Sequence, residues 1–180
     1  MKTNLILLAM SCLMALSCTD CPKDAKVVMV HPHEEELETA AGDCRTVFLA
    51  GTIDMGNSVD WQAQIEEYFS ELAARQQKSY MLFNPRQVNW DPTRENEMDY
   101  QVNWELAHLE KADYIIMNIL PKSKSPISLL EMGLHARSKK IFVVCQPEYY
   151  RYDNVRITCS YYKIPLFDSL EDLLDGVFGK

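Results

Sequence analysis

A single carboxylate, Glu131, stands in the run Ser125-Pro126-Ile127-Ser128-Leu129-Leu130-Glu131-Met132-Gly133, a helix start that directly follows the apolar stretch Tyr114 to Leu120. A continuous apolar stretch of that length reads as a strand buried on both faces of a parallel sheet. Open α/β sheets bind ligands at the carboxyl ends of such strands. Ser125 suits the N-cap and Pro126 the first helical position, which puts Glu131 about one and a half turns into the helix. Hemmed by Leu129, Leu130 and Met132, its carboxylate loses water, and desolvation raises both proton affinity and reactivity. The plain alternative is an ordinary helix glutamate. A second acid lies on the preceding helix, in Glu105-x-x-His108. That spacing is half of a di-metal motif, and without a second such pair it points to an orienting or structural role. His31-x-His33 likewise offers two ligands without a third. No metal and no cofactor are expected.

Four blocks carry a wider pattern: Val47 to Gly56 with Asp60-Trp61-Gln62; Asn84-Pro85-Arg86 with Trp90-Asp91; Val102 to Leu106 with Leu109 to Asp113; and Ser125 to Gly133. In order and spacing, from Val47 to about Cys145, they resemble the nucleoside 2-deoxyribosyltransferase-like family. The resemblance implies a Rossmann-like enzyme that breaks the N-glycosidic bond of a deoxynucleoside. It makes Glu131 the nucleophile on the anomeric carbon and Glu105, where the family usually has aspartate, the acid that orients it. Candidate substrate contacts on these blocks are Phe48, Gly51, Asp54, Trp61, Asn84, Arg86, Trp90 and Ser125.

Two positions depart from the pattern. Phe48 stands where the transferases tend to carry tyrosine, and Ser125 where they tend to carry an aspartate that holds the base. A serine six residues before the glutamate is similar to the branch that hydrolyses deoxynucleoside monophosphates, where it contacts phosphate. The N-terminus of a helix suits an anion; an N-cap is the simpler role for the same serine.

In the chemistry implied, Glu131 attacks C1′ through an oxocarbenium-like transition state and forms a glycosyl-enzyme, as in retaining glycosidases. A second base resolving it makes a transferase, water a hydrolase. A pocket that binds a nucleotide without turnover is the third reading.

Composition fits one domain. The chain has 180 residues, 47% of them hydrophobic, enough for a proper core. A formal charge of -8 disfavours a nucleic-acid polymer, whose binding draws on Lys and Arg. A small nucleoside needs no such patch, and a small nucleotide needs only a local arginine, for which Arg86 is a candidate. Residues 1–18 read as a signal peptide: Lys2, an apolar region Leu5 to Leu16, and Ala15-Leu16-Ser17-Cys18, which resembles a lipobox. Cys18 is then a candidate lipid anchor and the chain exported, periplasmic or held at the membrane. A start assigned upstream of the true one, such as Met29, and a cytoplasmic enzyme is the competing reading. Cys18 and Cys21 follow no strand, so a redox role is not expected. Cys44, Cys145 and Cys159 read as isolated thiols.

The elements that must position these groups alternate. Residues 19–43 hold a linker and the strand Val27 to Val30; the main domain spans 44–180. Strands are expected at Val47 to Ala50, Tyr80 to Phe83, Tyr114 to Leu120, Lys140 to Cys145 and Ile164 to Phe167. Helices are expected over Val59 to Gln77, Met98 to Lys111 with Val102, Leu106 and Leu109 facing the sheet, the Glu131 segment, and the terminal run from Asp168. This alternation implies a single-domain, doubly wound parallel α/β sheet, Rossmann-like or flavodoxin-like. Asn84 to Asn96 is a long polar loop of the kind that forms lids; Trp90 in it is either a substrate contact or a packing anchor. The aromatic segment Glu148 to Tyr162 is a candidate subunit contact or pocket wall, and the resemblance implies a homodimer or higher oligomer whose neighbours complete each pocket. The alternative is a half-buried helix.

Overall fold

The computed structural model describes residues 26–34, 44–87 and 89–179. Six strands are present: β1 (Val27–Val30), β2 (Cys44–Gly51), β3 (Ser79–Phe83), β4 (Tyr114–Ile119), β5 (Ile141–Cys145) and β6 (Leu166–Phe167). Five α-helices follow from β2 onward: α1 (Trp61–Gln76), α2 (Glu97–Lys111), α3 (Pro126–His135), α4 (Tyr152–Tyr162) and α5 (Leu170–Phe178). The strands form one sheet in the order β1-β3-β2-β4-β5-β6, with every pairing parallel. This is the doubly wound, Rossmann-like and flavodoxin-like α/β fold that the alternating pattern implies. The chain winds outward from β2 to β3, then crosses back to β4 on the other side of β2. The switch point, where such sheets open a crevice, therefore lies between β2 and β4.

Alternate residues of each strand serve opposite faces. Phe48 and Ala50 of β2 pack with Trp104 and Leu109 of α2, Met132 of α3, and Val155 and Cys159 of α4. Val47 and Leu49 pack with Trp61, Ile65 and Phe69 of α1 and Leu173 and Phe178 of α5. Both faces are covered, which is why the strands read as unbroken apolar runs. Each large side chain so buried contributes roughly 1.5–3 kcal/mol. Asp60 caps α1 by accepting from Ala63 N, and Ser169 caps α5 by accepting from Asp172 N.

Helix α2 differs from expectation. Val102 and Leu106 are 43% and 42% exposed, and the sheet-facing stripe runs instead through Trp104, His108 and Leu109. Part of that stripe is spelled in polar letters, so apolar periodicity alone finds the wrong phase. The segment Glu148 to Tyr162 is a turn and then a helix from Tyr152, and the last strand is only Leu166–Phe167. Among the described residues no disulfide joins Cys44, Cys145 or Cys159; burial pushes the Cys145 thiol up to about 12 and that of Cys159 up to about 11. The candidate leader with Cys18 and Cys21 lies outside the described residues, as does most of the polar connection after His33. Among the described residues no helix is long and apolar enough to cross a membrane.

Candidate active site

At the switch point a cleft of about 510 Å³ opens between the N-terminal half of α2, the start of α3 and the turn after β2. Gly51 makes the close approach that lets this turn sit over β4. Its φ is +132°, and a Cβ there would lie 2.2 Å from the carbonyl oxygen of Asn118. Thr52 N donates to that same oxygen at 2.9 Å, and Trp61 Nε1 donates to the Thr52 carbonyl at 2.9 Å. The turn is thereby pinned from strand and helix together.

Two carboxyl groups face the cleft from its helical walls. Glu131 is 8% exposed, and burial first, then the charge of Glu105, pushes its pKa up to about 8. Glu105 is raised as well, by burial, with the hydrogen bond from Gln101 pulling the other way. Two acids face one sheltered cleft, and the charge of one raises the proton affinity of the other.

A third carboxylate, Asp54, ends a chain of hydroxyls. Leu120 N donates to Thr52 Oγ1 at 2.9 Å, which leaves the Thr52 hydroxyl proton for Ser125 Oγ at 2.6 Å. Ser125 Oγ donates to Ser123 Oγ at 2.9 Å, and Ser123 Oγ to Asp54 Oδ1 at 2.6 Å. Each hydroxyl carries one proton, so every donor in the relay is spent inside the protein. Ser125 does stand at the N-cap position with Pro126 after it, but in the left-handed region (φ 43°) and without a side-chain bond to the helix. Its hydroxyl braces the β2 turn instead.

The cleft thus gathers Glu131, Glu105, Gly51, Asp54, Trp90 and Ser125. The other candidates support it from behind. Phe48 is fully buried in the core beneath α2, its ring 6.2 Å from that of Trp104. Trp61 is buried and holds the turn. Asn84 Oδ1 accepts from Arg86 N at 3.0 Å, turn chemistry that shapes the start of the long loop. Arg86 is buried, and its guanidinium donates to Ser58 Oγ, the Val59 carbonyl and Gln62 Oε1, with Asp60 at 3.5 Å. These four do not line the cleft.

Three of the four histidines are tied elsewhere. His31 Nδ1 donates to the Arg86 carbonyl at 2.9 Å, His33 Nε2 meets the Glu97 carboxylate at 2.9 Å, and His108 Nδ1 donates to the Trp104 carbonyl while its ring stacks on Trp104. Among the described residues no three His, Cys, Asp or Glu side chains gather as a metal would need. Sequence reasoning missed Thr52, Gln87 and Gln101 in the cleft. For Gln101 a signal existed, four residues before Glu105 on the same flank of a helix; for Gln87 there was none.

Fold and cleft together define a doubly wound α/β protein with two acids facing a cleft at the sheet's switch point. A family model described as nucleoside 2-deoxyribosyltransferase like matches residues 44–149, more than half of the chain, and the chain belongs to that family. No curated protein matches it.

Proposed function

We propose that this protein cleaves the N-glycosidic bond of an unphosphorylated 2′-deoxynucleoside with Glu131 as nucleophile and transfers the deoxyribosyl group to a second base. The observation that carries the proposal is the buried Glu131 beside Glu105 in a cleft at the β2/β4 switch point. An ionised Glu131 oxygen bonds to C1′ as the C1′–N bond breaks; the base departs with that electron pair and is protonated as it leaves. The incoming base then attacks C1′ and gives up its ring N–H proton, which replaces the one the departing base took up, and the Glu131 carboxylate is returned. Glu105 orients Glu131 and holds negative charge near the developing oxocarbenium ion. Aromatic and apolar groups at the mouth, Trp90, Met98, Val102 and Ile127, offer a surface for a flat base.

The choice of a nucleoside over its monophosphate follows from what the cleft presents. Asp54, Glu105 and Glu131 line it, and no Lys or Arg does among the described residues. The two candidate phosphate contacts are occupied: the Arg86 guanidinium by Ser58, Val59 and Gln62, the Ser125 hydroxyl by Ser123. A phosphate dianion gains little there.

Incubating the purified chain with deoxynucleosides or their monophosphates, with and without a second free base, and following bases by chromatography tests this. Base exchange on nucleosides is the expected result. Release without exchange makes the enzyme a hydrolase, preference for monophosphates overturns the substrate choice, and no release with either leaves a binding module. We propose also that the chain is exported, on the strength of residues 1–18, and that it pairs with a second copy. Fractionation finding the unprocessed chain in the cytoplasm would reject export.

A further inference from the structure

Glu97, Gln101 and Glu105 recur every four residues along α2 and so stand one turn apart on one flank of the helix. Gln101 Nε2 donates to Glu105 Oε1 at 2.7 Å and to the backbone carbonyl of Pro85 at 2.9 Å. A carbonyl oxygen only accepts, so the Pro85 contact compels Gln101 to present its nitrogen on that side. Its own oxygen then faces Gln87, whose Nε2 donates to it at 2.5 Å. One turn earlier the Glu97 carboxylate is held by His33 and Arg94 at 2.9 and 3.1 Å. The amide of Gln101 is therefore fixed in one orientation by partners on the long loop, with both donors and its acceptor in use.

We propose that Gln101 is a positioning residue of this site: it holds one oxygen of Glu105 as an acceptor and fixes that carboxylate's direction toward the cleft, while Gln87 locks the amide as a donor. Its kinetic consequence rests on the reading of Glu105 as the partner of Glu131; the bond to Glu105 does not. A donated N–H favours the charged carboxylate, so burial alone would let Glu105 keep its proton to higher pH. Losing the donor would then both free the side chain and raise its proton affinity further. The long loop thereby bears on the acid pair, because Pro85 and Gln87 set the amide that sets Glu105.

The test compares Gln101→Met, of similar length but without a donor, with the wild-type chain. Titrating the Glu105 carboxyl by ¹³C NMR should show its midpoint moving up in the variant. With an active nucleoside, kcat should fall about tenfold or more, the size of a lost hydrogen bond to a charged group, with KM within about twofold. In a Glu105→Gln background the same substitution should change kcat by less than about twofold, since nothing remains to be positioned. An unmoved Glu105 titration, or an equal loss of kcat in the Glu105→Gln background, would overturn the proposal. If the wild-type chain turns over no nucleoside, the proposed function fails while the titration still decides the Gln101–Glu105 link. Should Gln101→Met not fold, Gln87→Met, which unlocks the amide without touching Glu105, must shift the same titration upward in a smaller measure or the proposal falls.

Discussion

Glu105 on α2 and Glu131 on α3 enter one cleft from neighbouring helices, and the charge of the first adds to burial in holding the proton of the second up to about pH 8. An apolar wall alone would desolvate Glu131. The second acid makes its proton responsive to a neighbour, because discharging Glu105 removes one of the two causes of the shift.

That relationship fixes a pH dependence. Below about 8 the free site holds a proton on Glu131, and a protonated carboxyl does not attack C1′. The value of kcat/KM, which reports the free enzyme, should therefore rise with pH, reach half its limit near 8 and level above that. In Glu105→Gln the rise should move to lower pH, since burial is then the remaining cause. A profile flat from about pH 5.5 to 8.5 would remove Glu131 from the role of nucleophile.

The same shift makes a statement about stability. In the unfolded chain Glu131 titrates near the ordinary 4.5, in the fold near 8. Between those values the unfolded chain sheds its proton first, so stability falls as pH rises through the window and the full penalty stands above about 8. Glu131→Gln, neutral at every pH, should abolish turnover yet stabilise the fold by on the order of 3 kcal/mol near pH 8.5, and by little at pH 4. Chemical denaturation of the two proteins at both pH values measures this; equal stabilities at pH 8.5 would deny the raised proton affinity.

Much of this arrangement is legible in the residues themselves. The run Tyr114 to Leu120 is apolar on both faces because both are covered, so the strand and the helix after it follow from composition. Glu131 and Glu105 lie on elements whose type is plain, and their meeting follows from the switch point. Phe48 and Arg86 are harder. Strand alternation decides which face Phe48 serves, and neither face of an unbroken apolar run announces itself. Arg86 has its charge satisfied by Ser58, Val59 and Gln62, partners set by the fold of another loop. The Gln87 contact to Gln101 joins positions fourteen apart across a loop, which no periodicity shows.

Gly51 is where the turn depends on a missing side chain. Alanine there would set a Cβ 2.2 Å from the Asn118 carbonyl oxygen at a φ of +132°. Backbone cannot swing aside as a flexible side chain does. Gly51→Ala should cost at least ~2 kcal/mol and lower Tm by roughly 5 °C or more. A calorimetric scan matching the wild-type chain would show that β2 and β4 can separate at their carboxyl ends without cost.

Assembly brings the last prediction, and it adds a second candidate interface to the aromatic segment. In the aromatic segment Tyr149 is buried and donates to the Lys124 carbonyl, while Val155 and Cys159 pack into the core. Those three are spent inside the subunit, while Tyr150, Ile157 and Tyr161 stand 59%, 57% and 77% exposed. A second apolar face lies on α3, where Ile127, Leu130 and Leu134 are each about 60% exposed at spacings of three and four. Met98, Val102 and Leu106 repeat the pattern on α2, and Met98, Val102 and Ile127 reach the rim of the cleft. Two helices presenting aliphatic side chains beside a ligand site are suited to a self-complementary contact between copies. Leu130→Glu with Leu134→Glu should convert a dimer to a monomer in light scattering and lower activity, because the rim of the cleft is then left open. An unmodified chain that is already monomeric and fully active at micromolar concentration would show the cleft to be complete within one subunit.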